Sequence, residues 1–267
     1  MGRARPPEGP PWDSPLAEAP LAFVDLEMSG LDVERDRVLE IAITREQGGA
    51  LREWSSVVRP EPYVYGAGEI HGITEEEVQH APTFVELMPT LHTLLDGAVF
   101  VAHGARWDLS FLRKETERAG TELPLGFYLD TLTLSRRAFS FETHSLRALA
   151  EELGLLHERA HRADADVVAM RALFWRCVEA LGARTPRELF GVRIAEREMR
   201  EEIKQLCEEA VTLQRPLQLS YRPSGKKPEE LAFMVQSVIE DRVLGYEIDT
   251  RARRELRGAR ILAARWR

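Results

Sequence analysis

The chain has 267 residues, a formal net charge of −8, 44% hydrophobic and 30% charged residues. That is enough chain for one domain of ordinary size plus a small second one, and the composition excludes a wholly disordered or fibrous protein. No apolar run approaches the ~18 residues that span a bilayer, and the two cysteines, Cys177 and Cys207, make no disulfide framework and stand at no metal-ligand spacing. A reduced, cytoplasmic protein is expected.

Six prolines in the first twenty residues, with no apolar core of a secretory signal, read as a disordered leader over residues 1–19. From Leu21 the pattern becomes regular. Leu21–Leu26, Arg37–Thr44 and Leu51–Val58 read as three strands joined by short turns, which suits an antiparallel meander. Thr74 and Glu77 fit a capping box. Thr83–Leu95 has helical spacing, Ala98–Ala102 reads as a strand, and Ala105–Ala119 as an amphipathic helix stopped by Gly120. Phe127–Leu129 is a short strand, Leu132–Arg137 and Ser145–Leu153 are helical, and Ala163–Leu181 is a long helix ending at Gly182. The expectation is an α/β domain with a mixed sheet flanked by helices over residues 20–185. A charged helical connector follows at 186–213. Alternating segments from Leu217 onward predict a small β-rich C-terminal domain over 214–267, in the form of a small barrel.

Asp25 and Glu27 end the first strand and, two residues apart, project to one side of it. Two adjacent carboxylates repel unless a cation lies between them, so they are candidate metal ligands; a solvated acidic pair is the alternative. Asp108 falls in a first helical turn, where a carboxylate also serves as a plain cap. His161 and Asp166 flank the start of the long helix, a common arrangement by itself.

Taken together, these segments resemble the DEDDh (DnaQ-like) 3′→5′ exonuclease superfamily. Six blocks stand in the family's order: VDLEMSGLD, EIHGITEEEV, VAHGARWDLSFL, LDTLTLSRR, HSLRALAEELGL and HRADAD. The middle blocks are most similar to the proofreading (epsilon) subunit of bacterial DNA polymerase III, and the first to oligoribonuclease. The resemblance implies a ribonuclease H-like exonuclease fold. It also implies a catalytic set of Asp25, Glu27, Asp108, His161 and Asp166. The four acids would hold two divalent ions, Mg²⁺ or Mn²⁺, and His161 would be the general base. It further places Glu27, Met28, Leu31 and His71 at the substrate, with Leu31 wedged against the terminal base and His71 on its other side; core packing and a capped turn are the alternatives for these two. One departure is His103-Gly104-Ala105, where the family often has His-Asn-Ala.

The implied function is release of nucleoside 5′-monophosphates from single-stranded DNA ends in proofreading or repair, acting in trans with a polymerase or repair complex. RNA trimming by the same chemistry is the alternative. A non-catalytic nucleic-acid-binding regulatory protein and a metal-binding structural protein are the alternatives of other classes. Residues 186–267 carry 17 Lys/Arg against 14 Asp/Glu, and the last seventeen residues hold seven arginines. The stretch from Leu217 resembles the WYL-type module of bacterial regulators, implying either a ligand- or nucleic-acid-binding module or a barrel that only docks.

Overall fold

The computed structural model describes residues 4–139, 141, 143–154, 162–195, 199–223 and 228–267. The chain divides into two compact units, Met1–Phe190 and Gly191–Arg267.

Unit 1 opens with the expected meander: β1 (Leu21–Met28), β2 (Val38–Gln47) and β3 (Ala50–Val57), paired antiparallel. Three helices follow, α1 (Gly68–His71), α2 (Glu75–His80) and α3 (Phe84–Leu95). The last two start in capping boxes, Thr74 with Glu77 and Thr83 with Glu86. Then come β4 (Val99–Ala102), α4 (Arg106–Arg118), β5 (Tyr128–Asp130), α5 (Thr131–Ala138), α6 (Leu146–Glu152) and α7 (Ala163–Leu181). β4 lies parallel to β1, and β5 parallel to β4, so the sheet is mixed, in the order β3-β2-β1-β4-β5. Leu21 to Val24 are all buried, as a central strand covered on both faces requires. Phe174 of α7 meets Phe23 of β1 edge to face at 5.2 Å, which lays the long helix along β1.

The expected disordered leader is corrected for residues 4–19. Trp12 and Leu16 are each 5% exposed. Trp12 packs edge-on against Phe127 and Phe190, and Arg187 holds Asp13 through Nε at 2.5 Å. Proline-rich composition concealed two apolar anchors four residues apart.

α8 (Pro186–Ala195) and α9 (Glu201–Leu213) replace the single connector helix. α9 is a core element of unit 2: its Ile203, Cys207 and Ala210, at helical spacing, pack with Leu217, Leu219, Phe233, Val235, Val243 and Leu256. The strands are β6 (Leu217–Tyr221), β7 (Glu229–Ile239), β8 (Arg242–Glu247), β9 (Arg253–Arg257) and β10 (Ile261–Trp266). They form one antiparallel sheet in the order β10-β6-β7-β8-β9. The β-rich expectation holds; among the described residues the ladders run from β10 to β9 and none joins those two strands. No helix among the described residues is long and apolar enough to cross a membrane.

Candidate metal-binding active site

The site is assembled on β1 by helices that reach it from far along the chain. Asp25 and Glu27 lie on the same face of β1, the face that carries Phe23 towards α7. Asp166 stands in the first turn of α7. Ligand oxygens of Asp25, Glu27 and Asp166 all lie within 4.8 Å of one another, the one such group among the described residues. Asp108, 6% exposed, stands in the first turn of α4.

Two buried acids of β2 outside the cluster fix α7. Glu40 of β2 lies directly across from Glu27. Arg162 donates to Glu40 through Nη2 at 2.7 Å and through Nε at 3.2 Å. Glu40 Oε2 in turn accepts the first free amide of α7, Ala163 N, at 3.1 Å. Glu40 thus caps a helix that has no side-chain cap of its own. Further along the same face of β2, Glu46 accepts from Arg171 Nε at 2.7 Å and Trp175 Nε1 at 3.1 Å.

The β4–α4 turn is held by Asp130. Its Oδ1 accepts from Gly104 N at 2.8 Å and Leu132 N at 3.1 Å, and its Oδ2 from Thr133 Oγ1 at 2.9 Å. Gly104 has φ +81°, a left-handed conformation that suits glycine or asparagine. Beside it, burial holds the pKa of His103 below the usual histidine value. The neutral ring donates from Nε2 to the His144 carbonyl at 2.9 Å, and Nδ1 faces the Thr131 hydroxyl at 3.0 Å. The far end of α4 is fixed by Arg37, whose Nε and Nη2 each reach a Glu115 oxygen at 2.7 Å.

This arrangement concentrates negative charge. Burial, then Asp108, Asp166, Glu27 and Glu40, drive the Asp25 carboxyl well above the carboxylate range. Burial and Asp166 push Glu27 up to about 8, opposed by Arg162. Burial pushes Asp108 up to about 7. Converging carboxylates that ionise this reluctantly are stabilised by a hard cation, and all the ligand atoms are oxygens. The residues fit a divalent metal.

His161, the expected base, lies outside the described residues; Arg162 follows it directly. Leu31 is 74% exposed, so it is not a core residue. Its loop is held by Arg118, which donates to the carbonyls of Val33, Glu34 and Asp36. Gly30 lets the Asp36 carboxylate approach closely, since a Cβ there would lie 2.4 Å from Asp36 Oδ2 and would displace that side chain. His71 corrects its expected role. It is 2% exposed. Its Nδ1 accepts from Ile73 N at 3.1 Å and its Nε2 donates to the Gly66 carbonyl at 3.0 Å. The ring braces its own loop and has no nitrogen left for a base. Met28 is half-buried at the end of β1.

Sequence reasoning missed Glu40, Arg162, Asp130 and Trp107. Glu40 had a signal, a lone charge inside the apolar strand VLEIAIT, because a buried charge must be paired. Trp107 had one too, a large aromatic on a polar helix start; it is 55% exposed beside Asp108.

Comparison with known proteins agrees with this geometry. Residues 22–174 match the RNase T family, described as Exonuclease. A 3′-5′ exonuclease DinG of Bacillus subtilis is 35% identical over 162 residues, covering 59% of this chain and 17% of that protein. A DNA polymerase III subunit epsilon-like protein of Rhodobacter capsulatus is 38% identical, covering 64% of this chain and 26% of its own length. This chain therefore spans only a minor part of these two relatives. The zinc-bound E. coli Exonuclease I–single-stranded DNA complex superposes with a TM-score of 0.59 at 18% identity, over 86% of this chain and 54% of that one. That is more of the chain than unit 1 holds, so the likeness in fold extends into unit 2. The α/β fold, the converging acids and the matched profile agree: the chain belongs to the RNase T exonuclease family.

Proposed function

We propose that this protein is a metal-dependent 3′→5′ exonuclease that releases nucleoside 5′-monophosphates from single-stranded DNA. The observation that carries the reading is the convergence of Asp25, Glu27 and Asp166 within 4.8 Å, with buried Asp108 raising the Asp25 pKa from α4.

Asp25, Glu27 and Asp166 would hold one divalent ion, and Asp25 with Asp108 a second; Mg²⁺ or Mn²⁺ suits an all-oxygen set. Bound there, the ions supply charge stabilisation for the attacked phosphate and the leaving oxygen. His161, by the resemblance to the family, accepts the proton of the attacking water, the general-base role that histidine most often takes. The new P–O bond forms as the bond to the 3′ oxygen of the preceding nucleotide breaks.

Leu31 and Trp107, both exposed, offer apolar surface to the terminal bases, and Glu27 and Met28 line the end of β1. DNA and a role beside a polymerase are favoured by the DNA polymerase III subunit epsilon-like relative; a role in repair is the alternative.

The test of substrate is the rate of shortening of 5′-labelled single-stranded DNA and of RNA of matched sequence with Mg²⁺. Faster cleavage of DNA is expected; faster cleavage of RNA assigns the enzyme to RNA trimming instead.

A further inference from the structure

The sheet of unit 2 separates charge across its two faces. Directly opposed residues of an antiparallel ladder share a face. Val243 opposes Leu256, and both are buried with α9. On either side of that pair along the ladder, Arg242 opposes Arg257 and Tyr246 opposes Arg253, each an odd number of residues away, so these four side chains lie on the face away from the helix. On the other edge strand, Arg265 opposes Gln218 on that same face, alternating with the inward Ala264 and Trp266. Met234, half-buried, sits across from Tyr246. The outward surface of α9 has the opposite sign, with Glu201, Glu202, Glu208 and Glu209 all exposed.

The face retains net positive charge after its own ion pairs. Arg242 pairs with Glu255 at 2.5 Å and Arg265 with Glu230 at 3.7 Å. Arg253 and Arg257 are exposed and make no ion pair among the described residues. Arg257 also stands directly across from Arg242, whose one charge is already met by Glu255, so the opposed pair of arginines keeps one unmatched positive charge. Arg251 lies over the Tyr246 ring at 5.6 Å, which brings a further cation to that side chain.

We propose that this outer face binds single-stranded DNA away from the reacting end, with Arg253 and Arg257 meeting backbone phosphates and Tyr246 offering a ring to a base. The proposal rests on the exonuclease reading, which makes a single-stranded polyanion the partner of matching charge. Guanidinium groups beside an aromatic ring that is partly open to solvent, as Tyr246 is, form the general surface for such a strand.

The test uses the full chain and an oligothymidylate of about 20 nucleotides, with binding followed by fluorescence anisotropy in EDTA. Arg253→Ala with Arg257→Ala is expected to weaken binding about tenfold and to lower the slope of log K against log salt by about 1.4. Hydrolysis of p-nitrophenyl thymidine 5′-monophosphate with Mg²⁺, which needs only the acidic site, is expected to stay at the parent rate. Arg52→Ala with Arg176→Ala, an equal loss of charge in unit 1, is expected to leave binding within about twofold. Parent-like binding by the sheet variant, or equal weakening in the control, overturns the proposal. A parent protein that fails to hydrolyse the small ester overturns the exonuclease reading instead, so the two failures are told apart.

Discussion

Arg162 donates to both oxygens of Glu40 while Glu40 accepts the first free amide of α7. One buried carboxylate on β2 thereby fixes where Asp166 stands relative to Glu27. Glu40→Ala removes the pair and uncaps the helix. Bonds to charged groups contribute about 1.5–3 kcal/mol each, so a stability loss of about 2–3 kcal/mol is expected in urea unfolding. A small displacement of a reacting group costs about a hundredfold in rate, and a fall of that size is expected in kcat at saturating metal. Glu40→Gln, which keeps an acceptor for Ala163 N, is expected to retain more activity than Glu40→Ala.

The Arg37–Glu115 pair is buried, with side chains 4% and 3% exposed. Removing one partner leaves the other charge stranded, at a cost of about 3–5 kcal/mol. Glu115→Ala is expected to show that loss in urea unfolding. The double variant Arg37→Met with Glu115→Leu is expected to recover most of it.

These two acids also show what the sequence disclosed and what it withheld. Asp25, Glu27, Asp108 and Asp166 were legible because each lies in a short block with its own apolar framing, and the blocks stand in a fixed order. Strand alternation placed Asp25 and Glu27 on one face without any coordinates. Glu40 was visible as a charge in an apolar strand, but its partner lies 122 residues away, and no local periodicity carries such a pairing. His71 misled for a related reason. Its motif indicates a loop beside the site, whereas the direction of its ring is set by Ile73 N and the Gly66 carbonyl. Residues 4–19 misled because proline content speaks of local stiffness and is silent on the packing of Trp12.

The acidic cluster predicts proton-coupled metal binding. With Glu27 near 8 and Asp108 near 7, bound Mg²⁺ must displace protons, so its affinity is expected to rise with pH up to about 8. Calorimetry in buffers of different ionisation enthalpy would register the released protons. The sign for stability follows from the same shift. The unfolded Glu27 ionises near 4.5 and the folded one near 8, so the metal-free protein loses stability as pH rises across that window. Glu27→Gln is expected to melt above the parent at pH 8 without metal, to converge with it below pH 4.5, and to melt below it in excess Mg²⁺.

Leu31 is exposed on a loop braced by Arg118. Leu31→Ala is expected to leave the melting temperature unchanged and to lower kcat/KM on oligonucleotides about tenfold, the scale of one lost apolar contact. A drop in melting temperature with no kinetic effect would return Leu31 to a packing role.

Burial pushes the Cys177 and Cys207 thiols up to about 12. Both are expected to resist a thiol-specific chromogenic disulfide in the native protein and to react promptly in denaturant. Because one lies in each unit, differential labelling at intermediate urea would report whether the units unfold together.

The most direct measurement is a gel assay of 5′-labelled single-stranded DNA with Mg²⁺, with EDTA, and with Asp25→Ala in place of the parent. A ladder shortening from the 3′ end, seen for the parent with Mg²⁺ and absent in the other two lanes, is the predicted result. Shortening that persists at the parent rate in Asp25→Ala would contradict an active site built on the β1 acids.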